Sequence, residues 1–337
     1  MIFDYPYEQL EELLVSMGEK PYRARQIYEW LYHHKVTSYD QMTNLPESLR
    51  DKLEDVAPLA ILELATKQVS ADGTQKYLFR LHDGHLIESV LMDFDYGQSI
   101  CITTQVGCNI GCSFCASGLL GKSRDLTSGE IVAQVLEVER LAGVRVGNIV
   151  VMGIGEPFDN FTHLMNALYT INHPWGLNIG ARHITVSTSG IVPVIYQFAD
   201  LKTQFNLALS LHAPNNDLRT KLMKVNKAYP LKDVMDAVRY YVETTNRRIT
   251  FEYIMLKDQN DMPELAHQLS DLIRGINGYV NLIPFNSVTE IAYQRSEKNA
   301  MIEFYDILKK RGIVATLRVE KGHDIAAACG QLRSVNL

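Results

Sequence analysis

From residue 100 onward, strand-like runs alternate with stretches of helical pattern, and this alternation constrains the fold more than any other feature of the chain. The runs are ICITTQ, NIVVMG, HITVSTSG, NLALSLH, RITFEYIML, YVNLIPFN and VATLRVE, with amphipathic segments such as EIVAQVLEVERLA and MIEFYDILKK between some of them. Repeated βα units of this kind build a parallel sheet covered by helices, an α/β architecture. Periodicity alone leaves open whether the sheet closes into a full barrel. Either way, reactive side chains are expected where the strands end at their carboxyl edge.

The 337 residues, set against about 150 per domain, suggest one large catalytic body and something smaller. Residues 1–57 read as a small helical domain, because Leu10, Leu13, Leu14 and Met17 recur at helical spacing, as do Ile27, Trp30 and Leu31. Residues 58–100 switch to β-rich runs, TQKYLFRL and HLIESVLM, with Asp83-Gly84 between them as a hairpin signal. Residues 101–337 form the catalytic unit.

Composition excludes several classes. Hydrophobic residues at 46% and charged residues at 21% are those of an ordinary globular protein. No apolar run reaches the roughly 18 residues of a membrane helix, and the acidic start MIFDYPYEQLEE is unlike a secretory signal, so a cytoplasmic location without membrane contact is expected. A net charge of −6 argues against indiscriminate coating of nucleic acid. Five cysteines, an odd number, argue against a disulfide framework and for metal or redox chemistry.

Three of the five stand close together, in Cys108-Asn-Ile-Gly-Cys112-Ser-Phe-Cys115, directly after ICITTQ. Three such thiolates can hold three irons of a 4Fe-4S cubane and leave the fourth iron open to an exchangeable ligand. The alternative is a structural zinc site with a fourth ligand such as Cys101, although zinc sites usually supply paired Cys-x-x-Cys knuckles.

The triplet, with Phe114 before its last cysteine, resembles the signature of the radical S-adenosylmethionine (SAM) superfamily. That resemblance implies a partial (β/α) barrel, a 4Fe-4S cluster whose open iron is chelated by SAM, and one-electron cleavage of SAM to a 5'-deoxyadenosyl radical. Met152-Gly-Ile-Gly155-Glu156-Pro157 follows the strand NIVV, where Glu156 is placed to accept from the SAM ammonium; Ser187, Ser210-Leu211-His212 and Asn286 are polar or backbone positions at other strand ends.

The longer set CITTQVGCNIGCSFCASG, RDLTSGEI, VVMGIGEPFDN, ITVSTSG, SLHAPNNDLR, FEYIML, NLIPFN and AACGQL is similar to the RlmN-type RNA methyltransferases over nearly the whole chain. These methylate carbon-2 of adenosine, a position without a nucleophilic lone pair. The family likeness implies that Cys329 accepts a methyl group from one SAM and that the radical from a second SAM takes hydrogen from it. The methylene radical then adds to the base, and Cys101 resolves the adduct through a transient disulfide. It places the proton acceptor at Glu88, with Cys101 the alternative for the same step, the SAM contacts at Gly155, Glu156, Ser187, Ser210, Leu211, His212 and Asn286, and the cluster on Cys108, Cys112 and Cys115. One departure is Ala326, where an acid of the terminal motif is expected.

By the same likeness the substrates are an adenosine of 23S rRNA at the peptidyl-transferase centre and the adenosine 3' of the anticodon in tRNAs, with an electron donor such as flavodoxin or ferredoxin. A monomer is expected. Lys20, Arg23, Arg25 and Lys35, and a second group of Arg219, Lys221, Lys224 and Lys227, are candidates to grip phosphates. Competing readings are a Cfr-type carbon-8 methyltransferase, disfavoured by Pro157, a radical SAM activase, which has no use for the Cys101 and Cys329 pair, and an RNA-binding protein with a structural zinc knuckle.

Overall fold

The computed structural model describes residues 1–119 and 121–332; the last five positions of the 101–337 region lie outside it. Three helices, α1 (Tyr7–Ser16), α2 (Tyr22–Tyr28) and α3 (Glu47–Val56), form the front of the chain. Leu10, Leu14, Ile27 and Leu31 are buried, as their spacing predicts. Side chains of this front dock it on the catalytic body. Asp4 accepts the Gly129 N–H at 2.7 Å, Lys35 pairs with the buried carboxylate of Glu139 at 2.8 Å, and Tyr7 stacks on His173 at 4.5 Å. Lys35 therefore holds two parts of the protein together, and Arg25 lies over the Trp175 ring.

Four strands follow, β1 (Glu63–Val69), β2 (Gln75–Arg80), β3 (Leu86–Phe94) and β4 (Gly97–Cys101), each antiparallel to the one before it. The expected hairpin is β2–β3, and β1 adds an outer strand to it. A two-residue ribbon, β5 (Gln105–Val106) with β6 (Arg124–Asp125), closes the base of the cysteine loop. The helix α4 (Ser128–Ala142) starts in a reciprocal cap, in which Thr127 Oγ1 accepts the Glu130 N–H and Glu130 accepts the Thr127 N–H.

The remaining units run β7 (Asn148–Val151), α5 (Phe161–Asn172), β8 (Ile184–Thr188), α6 (Val192–Asp200), β9 (Asn206–Ser210), α7 (Asn216–Leu222), α8 (Leu231–Thr245), β10 (Ile249–Met255), α9 (Pro263–Leu272), β11 (Gly278–Pro284), α10 (Lys298–Lys310) and β12 (Ala315–Leu317). One sheet orders them β1-β2-β3-β4-β7-β8-β9-β10-β11-β12, parallel from β4 to β12. Each of the seven strand-like runs of the sequence overlaps one of these parallel strands, ICITTQ only at Ile100 and Cys101 because β4 begins at Gly97. The sheet curls without pairing its two edge strands among the described residues, which is the partial barrel that the fold class implies.

Buried parallel strands are usually apolar on both faces, but these alternate. Ile100, Ile149, Val151, Ile184, Val186, Leu207, Leu209, Phe251, Val280 and Leu282 point to the helices and join the main core, each contributing about 1.5–3 kcal/mol by burial. The intervening positions, among them Ser99, Thr185, Thr250, Glu252 and Asn281, line the barrel interior. The polar interior is what leaves room for a site.

Candidate active site

The cysteine loop leaves the sheet at β5 and returns at β6. Its neck is closed by glycine against glycine: a Cβ on Gly107 would lie 1.8 Å from the Gly121 carbonyl oxygen, so only a residue without one fits. Farther out, the Ser113 N–H donates to the Leu222 carbonyl at 2.9 Å, and the Ala116 N–H donates to the Gly330 carbonyl at 2.8 Å. Ser117 Oγ donates to the Leu332 carbonyl at 2.8 Å. The loop is thus fastened to the end of α7 on one side and to the Cys329 segment on the other.

Cys108, Cys112 and Cys115 line one cavity together with Gly155, Glu156, Ser187, Ser189, Ser210, His212 and Cys329. Burial pushes all three thiols up, Cys108 to about 11, and at Cys112 the charges of Cys115 and Cys108 add to it. Thiols in this state become thiolates only against a strongly cationic group. No three His, Cys, Asp or Glu side chains among the described residues converge on one ion position. A cubane instead spreads its three thiolates over three irons. Cys101, the fourth ligand a zinc knuckle would need, packs among Val90, Met92 and Ile154 and lines a cavity that Cys115, but neither Cys108 nor Cys112, also lines.

The strand ends shape a cradle opposite the cysteines. A Cβ on Gly153 would meet the Ile102 carbonyl oxygen at 2.6 Å, and one on Gly155, at φ +108°, would meet Gln105 at 2.7 Å. Glu156 is buried; it accepts from Thr188 Oγ1 at 2.7 Å and from the Ser189 and Phe158 N–H groups at 2.8 and 3.1 Å. Burial pushes its carboxyl up, while these donors oppose the shift. Ser187 and Ser210 face each other with their hydroxyls 3.5 Å apart. Ser189 Oγ and Asn286 Oδ1 are buried without a hydrogen-bond partner, as polar atoms awaiting a ligand are. The thiol triplet, the glycine cradle and these two atoms fit a cluster with a bound SAM.

His212 sits at φ +58°, held by its own N–H to the Glu252 carbonyl at 3.2 Å and by Asn260 Nδ2 to its carbonyl at 3.0 Å. Its Nδ1 accepts the Ile254 N–H at 3.0 Å, so its ring proton belongs on Nε2. Burial, helped by the Arg219 charge, lowers His212 to about 3, and it is a neutral donor. The Leu211 side chain is in the main core instead, and its N–H bonds the Glu252 carbonyl at 3.0 Å, so of its main chain only the carbonyl, which also accepts from Arg219 Nε at 3.3 Å, keeps a lone pair for a ligand.

Cys329 lines this cavity and also a second one, lined by Cys101, Val90, Met92, Met152 and Asn286. The two cysteines, 228 positions apart in sequence, thus share a wall. Arg318, just past β12, donates from Nη1 to Cys329 Sγ at 3.0 Å. Asn286 Nδ2 donates to the Cys329 carbonyl at 3.3 Å. Burial pushes the Cys101 thiol up to about 12, with the Cys329 charge adding and Arg318 opposing. Glu88 projects from the β3 face that also carries Val90 and Met92; it pairs with the buried Lys76 at 3.2 Å. Lys76 Nζ also donates to the Ala326 carbonyl at 3.4 Å, next to the Cys329 segment.

Ser189 and Arg318 escaped the sequence reading, and Arg219 was misplaced by it. Arg318 had a signal, a cation at the end of the last strand run. Arg219, expected to grip phosphate, is fully buried, and its guanidinium bonds main-chain carbonyls behind the cavity. In its group, Lys221 bonds Gln259, and Lys224 lies exposed beside Gly111 of the cysteine loop.

A partial barrel with three cysteines on the loop after its first parallel strand, facing a glycine cradle, defines a radical SAM enzyme. Residues 102–269 match the Radical SAM superfamily, and residues 2–59 match the Ribosomal RNA large subunit methyltransferase N-terminal domain. The chain is 56% identical over 337 residues to the probable dual-specificity RNA methyltransferase RlmN of Acholeplasma laidlawii, covering 100% of both. It is 53% identical to that of Bacillus subtilis, covering 99% of this chain and 93% of the relative. A solved radical SAM methyltransferase from Sphaerobacter thermophilus superposes with a TM-score of 0.95 at 45% identity, over 99% of each chain. The chain belongs to the RlmN family.

Proposed function

We propose that this chain methylates carbon-2 of adenosine in 23S rRNA, at the peptidyl-transferase centre, and in tRNA, at the adenosine 3' of the anticodon, through a methyl group carried first on Cys329. The observation that supports this most directly is the place of Cys329: it lines both the cavity of the cysteine triplet and the cavity of Cys101. When bound, the 4Fe-4S cluster and SAM supply the methyl group and one-electron radical chemistry.

Cys108, Cys112 and Cys115 hold the cluster in this reading, and Gly155, Glu156, Ser187, Ser210, His212, Asn286 and the Leu211 main chain hold SAM. Cys329 Sγ takes the methyl group, with Arg318 orienting the sulfur. Glu88, paired with Lys76, takes the carbon-2 proton of the base. Cys101 then attacks the Cys329 sulfur: the S–S bond forms, and the carbon–sulfur bond breaks with its electron pair passing to the transferred carbon, which is protonated. An external dithiol reopens the disulfide. Because burial keeps Cys101 protonated at rest, it gives up its proton only when it attacks. The target base must be unstacked to reach this depth, which favours loops over duplex. An electron donor of the flavodoxin or ferredoxin kind, a monomeric state and a cytoplasmic location complete the proposal.

The test is anaerobic reconstitution with SAM, reductant and an unmodified rRNA fragment, followed by nucleoside mass spectrometry. Carbon-2 methylation that vanishes in Cys329→Ala is expected. Methylation at carbon-8 would place the enzyme with the Cfr type, and an active Cys329→Ala enzyme would overturn the mechanism.

A further inference from the structure

Arg219, in the middle of α7, is fully buried, a condition that arginine rarely tolerates without an anionic partner. Its hydrogen-bond acceptors are neutral. Nη2 donates to the Ser189 carbonyl at 2.7 Å and the Ser210 carbonyl at 3.3 Å, Nε to the Leu211 carbonyl at 3.3 Å, and Nη1 to Asn226 Oδ1 at 3.0 Å. Two of the residues held in this way, Ser189 and Ser210, line the cavity that contains Cys112. The helix that carries Arg219 ends at Leu222, whose carbonyl accepts the N–H of Ser113, the neighbour of Cys112. Buried as it is, the guanidinium remains a cation at neutral pH, since arginine is not deprotonated in proteins.

A buried cation placed behind three cysteines has an evident use. A cluster on three thiolates is anionic overall and becomes more so when it takes an electron, so a fixed positive charge in a poorly screened interior favours the reduced form. We propose that Arg219 is the buried counter-charge of the cluster, raising its reduction potential and so easing the electron transfer on which cleavage of SAM depends. The proposal rests on the cluster reading of Cys108, Cys112 and Cys115. Arg219 acts through the field it exerts and the carbonyls it holds, and is a positioning residue.

The experiment is a redox titration of the reconstituted full-length protein without SAM, followed by electron paramagnetic resonance, with iron and sulfide measured in each sample. Arg219→Lys keeps the charge and is expected to stay within about twofold of the wild-type ratio of reduced to oxidised cluster at a fixed potential. Arg219→Gln removes the charge. Asn226→Asp leaves the guanidinium in place and sets a carboxylate where the amide oxygen now lies 3.0 Å from it. Both are expected to lower the ratio about tenfold, which for one electron is about 59 mV. An Asn226→Asp protein with four irons and an unchanged ratio overturns the proposal and leaves Arg219 as a brace for the loops. Loss of iron in both Arg219→Gln and Asn226→Asp, with Arg219→Lys intact, assigns the cation to cluster uptake and overturns the tuning role. A wild-type chain that takes up one zinc and no iron overturns the cluster reading itself, and this proposal with it.

Discussion

The two cysteine-bearing segments of the site are built in opposite ways. The Cys108–Cys115 loop takes its three thiols from eight consecutive residues and closes its own neck where Gly107 meets Gly121, with bonds to Leu222, Gly330 and Leu332 fastening it farther out. The Cys329 segment has little structure of its own and is tied down by distant partners. Asp324 accepts from Ser70 Oγ and from the Ala71 N–H, Asp72 accepts from the Gly322 N–H at 3.0 Å, and Lys76 reaches the Ala326 carbonyl. All of these partners lie in or beside the turn between β1 and β2. The acid missing at Ala326 is thus matched by Asp324, two residues earlier, which anchors the segment while Ala326 takes a left-handed φ of 49°. In the proposed reaction the cluster thiols keep one place while Cys329 meets SAM, base and Cys101 in turn, and its segment is held by side-chain ties from a distant turn.

The largest effect that separates the two segments comes from removing a thiol. Cys112→Ala is expected to abolish both iron content and methylation, whereas Cys329→Ala keeps its iron and loses only methylation, as iron analysis and nucleoside mass spectrometry would show. Cys112→Ala with full iron would break the comparison. Next, Gly107→Ala, which drives a Cβ into the Gly121 carbonyl, should cut reconstituted iron by about half or more, because backbone on both sides of the neck leaves nothing free to yield. Its counterpart, Asp324→Ala, should leave iron unchanged and slow methylation by roughly threefold to tenfold through loss of charge-assisted bonds. Equal iron loss in the two variants would show that the segments are not separable.

The smallest effect is one of pH. Burial pushes the Asp72 carboxyl up, but its hydrogen bonds, among them those from the Thr74 and Gly322 N–H groups at 2.9 and 3.0 Å, outweigh it and hold the carboxyl down at about 2. A folded value below the unfolded one, about 3.9, means that this tie is complete above pH 4 and is lost as pH falls from about 4 towards 2. Amide-exchange protection of Gly322, corrected for the intrinsic rate, should fall in that window in the cluster-free protein. Asp72→Asn should abolish the pH dependence; a variant that retains it would show that another group carries the effect.

The seven strand runs, the helical front and the cysteine triplet were legible because each is a local pattern: periodicity and close spacing reflect the next few residues. The place of Glu156 and of Asn286 at strand ends was legible for the same reason. Arg219 was misplaced because charge patterning treats every cation as exposed. Only the fold, which brings the ends of β8 and β9 within its reach, turns it inward to the Ser189, Ser210 and Leu211 carbonyls. Lys35 was misplaced likewise, since its partner Glu139 lies on a helix more than 100 positions away.

Sequence by itself determined the alternation that makes a βα barrel, the thiol triplet and its family, and hence the chemistry available to the chain. Tertiary structure decided which groups meet. It set Cys101 and Cys329 on one wall, aimed Arg318 at the Cys329 sulfur, paired Lys76 with Glu88, and fixed the His212 tautomer through the Ile254 N–H. The reason is physical: local order follows from backbone sterics and short-range periodicity, while contacts across hundreds of residues, and the charge states they impose, exist only once the sheet has curled and excluded water from its interior.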